Sequence, residues 1–208
     1  SGSPSMPNQL INNVLSCDFS STTPRALYLT ASTTDGLDYL EMHHNSFEAR
    51  INSSSTTANG IVYFTGGSAT APAISRLLMQ NNIFRIVRAG GTFSSTGIYY
   101  FPGVWTIDST VSNYNILHFE GQGTSPLVRM SSTNYDLATW RSTFNEDLNS
   151  LNINPLFNGI NNLIPVGLSQ ARNAGTPSFV TTDLAGNQRD ANPDMGAYEI
   201  QMGAADVY

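Results

Sequence analysis

The chain has 208 residues, a formal net charge of −6 and only 12% charged side chains; nearly a third of it is Ser, Asn and Thr, and its nine cations are all Arg. It lacks the clustered cations that nucleic acid or an anionic membrane surface requires. Its 40% apolar and 10% aromatic content exceeds that of a disordered chain.

At this length one domain, 1–208, with a sizeable core is expected. The opening, SGSPSMPNQL, carries no secretory leader and runs straight into a strand-like pattern. The chain therefore reads as a portion of a longer protein. No apolar stretch reaches the ~20 residues that cross a bilayer as a helix, so membrane insertion is not expected.

The first strand signal, LINNVL (10–15), recurs as MHHNSF (42–47), MQNNIF (79–84) and SNYNIL (112–117). Each places an Asn at its fourth position: Asn13, Asn45, Asn82 and Asn115. A second series, LYLT (27–30), IVYF (61–64) and IYYF (98–101), alternates with the first, and loops rich in Ser, Thr and Gly separate the two. Short β-branched or aromatic segments recurring at a period near ~35 residues predict stacked units of a β-solenoid rather than helix pairs. Stacking brings the four Asn into register, where each amide donates to the next and a costly buried polar group is satisfied. Leu10, Leu15, Met42, Phe47, Met79, Phe84, Ile116 and Leu117 are the expected inward positions; stacked aromatics, Phe47 above Phe84 and Tyr63 above Tyr100, fill the core or line one face. Cys17 has no partner for an internal disulfide and reads as a small apolar residue.

The repeat units occupy 1–125, and a less regular end with a capping tail occupies 126–208. One short helix is expected there, starting near Asp136 or Ser142. Loops and irregular strands follow, and PDMGAYEI (193–200) is read as a final strand over the last unit.

Three C-terminal segments carry a family resemblance: LATWRSTFNEDLNSLNINPLF (137–157), NLIPVGLSQARNAGTPSF (162–179) and DLAGNQRDANPDMGAYEI (183–200). In this order they resemble the C-terminal region of secreted bacterial right-handed parallel β-helix proteins of the pectate-lyase-like group. The matching positions are Trp140, Asp147, Ser150, Pro155 and Phe157, then Asp183, Gly186, Arg189 and the run from Pro193 to Glu199. The chain departs from the pattern at Gln170-Ala171 and at Asn173. The resemblance covers roughly a third of the chain. It implies an all-β right-handed parallel β-helix with about four coils, and a secreted or cell-surface bacterial location. It leaves the activity open, because fold alone does not fix function.

Asp35, Asp38, Glu41, His43 and the adjacent His44 form the most enzyme-like cluster, of a type that binds calcium or works on a sugar by acid–base chemistry. Strand alternation sends Glu41 and His43 to one face and His44 to the other. A polar loop followed by a surface strand explains the same residues. Lyases of this group use Arg or Lys as a base; without Lys, Arg85 and Arg88 are the candidates. The aspartate motifs of the pectin hydrolases of this fold are absent, and His118 stands alone. Tyr99, Tyr100 and Trp105 suit stacking on the apolar face of a sugar, or the core. Asp183, Asp194 and Glu199 are candidate receivers for the guanidinium of Arg189, which would pin the tail to the body. Nucleotide, dinucleotide and zinc-protease motifs are absent.

The expected function is a secreted or cell-surface module with a structural, adhesive or glycan-binding role, without catalysis. No cofactor is required, although scattered Asp and Asn admit calcium. Polysaccharide or a cell-surface glycan is the expected partner. A polysaccharide lyase or glycoside hydrolase is the first alternative. A unit that self-associates through open solenoid ends is the second.

Overall fold

The structure is a computed structural model; it describes residues 3, 5–19, 25–31, 39–52, 59–66, 76–88, 96–101, 110–121 and 127–200. The described residues are strand-rich, with one short helix among them. Strands β1 (Asn8–Ile11), β4 (Leu40–His43), β7 (Leu77–Gln80) and β10 (Thr110–Asn113) form one parallel sheet. A second parallel sheet holds β2 (Val14–Phe19), β5 (Ser46–Ile51), β8 (Ile83–Arg88) and β11 (Ile116–Glu120). The third contains β3 (Leu27–Ala31), β6 (Asn59–Gly66), β9 (Thr96–Phe101) and β12 (Val128–Met130) in parallel, with β13 (Thr133–Tyr135) antiparallel at its edge. Each parallel pair joins a strand to the strand of the same sheet in the next sequence repeat.

Register stacks like on like. Leu10, Met42, Met79 and Ser112 form one inward row, and Leu15, Phe47, Phe84 and Leu117 another. The Phe47 and Phe84 rings lie 5.6 Å apart, and Phe84 meets Tyr99 edge-on at 5.3 Å. These residues belong to one core that continues to Trp140 under the helix. In the first repeat Leu10, Leu15, Phe19, Leu27 and Leu29 are only half-buried, whereas their register partners Met42, Phe47, Ile51, Val62 and Phe64 are fully enclosed.

The turn from the first sheet to the second is made by one left-handed residue per repeat: Asn12, His44, Asn81 and Tyr114, with φ between 53° and 60°. Asn adopts this region readily, while His and Tyr do so at a cost of about 1 kcal/mol or more. The position is held from repeat to repeat, and each of these residues directly precedes one of the four spaced Asn.

Helix α1 (Leu137–Phe144) starts at Asp136, whose carboxylate accepts the Thr139 amide at 2.8 Å, and ends at Asn145 in the left-handed region. A hairpin of β14 (Phe157–Gly159) and β15 (Asn162–Pro165) follows. Two expectations need correction. Ile116 does not share the inward row of Leu117. Successive strand residues face opposite ways, and Ile116 joins Ile83, Ala171, Met195 and Ile200 in a second apolar cluster beneath the tail. Residues 193–200 form no strand. Their amides bond to the corner and to side chains instead: Gly196 N–H reaches Asn81 O at 2.7 Å and Ala197 N–H reaches Ser46 Oγ at 3.0 Å.

Candidate functional site

The spaced asparagines form a continuous hydrogen-bonded row. Nδ2 of Asn13, Asn45 and Asn82 donates to Oδ1 of the next Asn at 2.9, 2.8 and 3.0 Å. The backbone N–H groups of the same three residues bond those same oxygens at 2.9–3.0 Å. The second amide hydrogens of Asn45, Asn82 and Asn115 go to the carbonyls of Leu10, Met42 and Met79. Every donor and acceptor of Asn45 and Asn82 is thereby used, which is what full burial of an amide demands.

The row ends on Asp147 and Ser150. Asn115 N–H bonds Ser150 Oγ at 2.8 Å, and the Ser150 and Ser112 hydroxyls both reach Asp147 Oδ1. Trp140 Nε1 donates to Asp147 Oδ2 at 3.1 Å. Burial raises the Asp147 pKa against these hydrogen bonds. Glu146, which accepts the Ser112 amide, is lifted to about 7, chiefly by burial.

The tail closes over the corner. Asn81 Nδ2 bonds Thr176 O and Asn12 Nδ2 bonds Thr182 O, both at 2.8 Å. His44 is buried at the centre. Its Nε2 faces the Asn81 amide at 3.0 Å and the Ser178 hydroxyl at 3.2 Å, while Nδ1 faces Asp194 O at 3.2 Å. The amide nitrogen can only donate and the carbonyl can only accept, so the ring is neutral with its proton on Nδ1. Burial, with Arg189 and His43 nearby, lowers its pKa to about 3.

Arg189 links tail to body. Nη1 donates to Glu199 Oε1 at 3.1 Å; Nη2 donates to Asn12 Oδ1 at 2.9 Å and Gly196 O at 3.1 Å. Of the three candidate carboxylates only Glu199 receives the guanidinium, through one oxygen. Asp183 and Asp194 serve backbone amides: Asp183 accepts from Asn187 and Glu199, and Asp194 accepts from Asn173 and Ile200. The tail turns Arg189 towards the Asn12 corner, which is why a bidentate pair does not form. Burial, then Asp194, raises Glu199 to about 7.

The outward face of the second sheet carries an ionic row that the sequence did not disclose. Arg50 Nε bonds Asp18 at 2.7 Å, and Nη1 bonds Glu48. Arg85 bridges Glu48 at 2.5 Å and Glu120 at 2.6 Å. Register explains it: Glu48 lies beside Arg85, and Asp18 beside Arg50. Arg85 thus sits clamped between two carboxylates, a poor setting for a base. Arg88 is buried, and burial lowers its pKa.

Of the enzyme-like cluster, Asp35 and Asp38 lie outside the described residues. Glu41 and His43 share a face with 3.9 Å between Oε2 and Nε2, and Phe179 closes over His43 edge-on at 4.9 Å. Burial lowers the His43 pKa. Among the described residues no group of three His, Cys, Asp or Glu side chains is placed to hold a metal ion, and no helix is long and apolar enough to cross a membrane.

The aromatic candidates divide. Trp105 lies outside the described residues, and so does the Tyr100 side chain. Tyr99 is 0% exposed, packed in the core against Phe84, and cannot stack on a ligand. The outward partners are one position away: Tyr28, Tyr63 and the Tyr100 position are in register on the third sheet. Tyr28 is 48% exposed and stacks on Tyr63 with centroids 5.3 Å apart and planes 17° apart. The Arg25 guanidinium lies over both rings, 4.8 Å from the Tyr28 centroid and 3.9 Å from that of Tyr63. The LYLT and IVYF series signals this strip in the sequence, but the pattern alone does not say which Tyr of IYYF faces out.

Comparison with protein-family models, with curated proteins and with solved structures finds no match to this chain.

Proposed function

We propose that the chain is a right-handed parallel β-helix module of pectate-lyase-like type, secreted or held at a bacterial cell surface, which binds glycan without transforming it. The pairing of each strand with its counterpart one repeat later supports the β-helix. A Lys-free surface rich in hydroxyls and amides supports an extracellular setting. The observation that carries the binding role is the Arg25–Tyr28–Tyr63 strip: adjacent tyrosines held rigid by stacking and by a guanidinium, with Tyr28 half exposed. Stacked aromatics offer apolar surface to sugar C–H groups at little entropic cost. The charged groups of the neighbouring sheet are occupied with each other, which favours holding a ligand over proton transfer. A glycan array probed with wild type and Tyr28→Ala tests this. The proposal expects a set of bound glycans that is lost in the variant. Unsaturated product released from uronate polymers would instead support the lyase alternative.

A second reading, self-association, is favoured by the half-buried Leu10, Leu15 and Phe19 on edge strands β1 and β2. Unpaired strand edges with apolar side chains invite a further chain. Light scattering of wild type and Leu15→Arg separates the two: a dimer dispersed by the substitution supports association, and a monomer at all concentrations rejects it.

A further inference from the structure

Between the β14–β15 hairpin and the tail lies a cleft of about 400 Å³. That volume falls in the range of small-ligand sites, roughly 300–1,000 Å³. It is a different surface from the tyrosine strip. The hairpin side carries Ile164, Pro165 and Val166 with Asn158 beside them; the tail side is more polar, with Asp183, Asn187, Tyr198 and Glu199.

Both walls are built before any ligand arrives. Val166 N–H bonds Leu156 O at 2.9 Å, which fixes the hairpin side. On the tail side, Asp183 accepts the Asn187 amide at 2.8 Å and its Nδ2 at 3.0 Å, and Gly186, at φ +87°, closes the turn. Leu184 N–H bonds Ala197 O at 2.9 Å and secures the turn to the segment that carries Tyr198. Preformed walls lower the cost of ordering on binding.

We infer that this cleft holds one uncharged sugar ring of the bound glycan, its apolar face on Ile164 and Val166 and its hydroxyls towards Asn187 and Tyr198. The two-sided lining selects the ligand class. A wholly apolar ligand would strip water from the amide and phenol wall without replacing its hydrogen bonds. An anion would meet the Asp183 carboxylate. Burial opposes that charge, but hydrogen bonds from Asn187 and the Glu199 and Ala185 amides outweigh it and hold Asp183 below the ordinary carboxylate range. A pyranose has one face of C–H groups and a rim of hydroxyls, which matches the two walls. The inference rests on the glycan-binding reading and adds a second contact point to it.

The test is calorimetric titration with methyl glycosides of neutral hexoses and of a uronic acid, on wild type, Val166→Trp and Tyr198→Phe. Val166 is 36% exposed, so a larger side chain there fills the cleft from the solvent side. If Val166→Trp fails to fold, Tyr198→Phe, which removes one hydroxyl, answers the same question. The inference expects saturable binding of at least one neutral glycoside with Kd on the order of 1 mM. Affinity should fall tenfold or more in Val166→Trp and severalfold in Tyr198→Phe, and be absent for the uronic acid. No saturation by any neutral glycoside overturns it, and so does binding that is indifferent to both cleft variants. Polysaccharide binding that still depends on Tyr28 in that event leaves the proposed function standing and removes the cleft alone.

Discussion

Replacing Asn82 by Ala should be among the most damaging changes of a single polar side chain in this protein. Asn82 Oδ1 accepts both the backbone N–H and the Nδ2 of Asn45, and its own Nδ2 donates to Met42 O and Asn115 Oδ1. Ala therefore leaves the Asn45 backbone N–H and one Nδ2 hydrogen of Asn45 without a partner, and takes a donor from Met42 O and from Asn115 Oδ1, in a site that is 0% exposed at both Asn45 and Asn82. Each orphaned buried group costs about 1–3 kcal/mol. Even with partial relaxation the loss should exceed about 3 kcal/mol, a large share of a typical domain's stability. Asn13→Ala is the internal control: Asn13 is exposed at the end of the row, and its truncation takes one donor from Asn45 Oδ1, which keeps the Asn13 backbone N–H, for less than about 1 kcal/mol. Urea unfolding followed by circular dichroism measures both. Equal costs for the two substitutions would mean that the row contributes by local turn propensity and not as a buried network.

Arg189→Met should cost about 3–5 kcal/mol by leaving Glu199 buried without its cation. Because Glu199 titrates near 7, the loss should be larger at pH 8 than at pH 5 in urea titrations; equal losses would place the contribution of Arg189 in its other contacts. Gly196→Ala puts a Cβ at 2.7 Å from Ile83 Cδ1 and 2.8 Å from Ser46 Oγ, at φ +98°. Amide exchange should then rise across 171–200, with a cost of about 1–3 kcal/mol from backbone strain before the clash is counted. Glu146 has a folded pKa raised from 4.5 to about 7, so its stabilising protonated state is fully present below 4.5 and lost as pH rises through 7. Relative to wild type, Glu146→Gln should therefore gain thermal stability from pH 4.5 to 7. His44 works in the opposite sense: with its pKa lowered from 6.5 to about 3, the stability it supports is present above 6.5 and lost as pH falls towards 3. Limited proteolysis should therefore show the tail becoming more susceptible on acidification, and the reverse trend would refute the neutral-ring assignment.

Stacked repeats leave a trace in sequence because register repeats chemistry. Asparagines 32, 37 and 33 residues apart bond one another, since one amide per repeat occupies one structural position. The helix start is legible for a local reason: Asp136 lies three residues before Thr139, whose amide it caps. Long-range placement is not legible. Ile116 and Leu117 both read as inward, but alternation turns one of them out, and on that outer face Ile83 and Ile116 meet Ala171 and Met195, which arrive much later in the chain. Likewise IYYF offers two adjacent tyrosines, and a shift of one residue exchanges core for surface; the in-register partners Val62 and Tyr63 decide it. The Glu48–Arg85–Glu120 row is invisible for the same reason, its members being 37 and 35 residues apart with no shared motif.

The central claim is binding without turnover, and one paired measurement tests it most directly. A bound polysaccharide identified on the array is incubated with wild type and with Tyr28→Ala, and retention on the polymer and its chain length are followed together. The account predicts that wild type is retained, that Tyr28→Ala is not, and that the polymer length stays constant. Shortening of the polymer by wild type, or retention that does not depend on Tyr28, would contradict it.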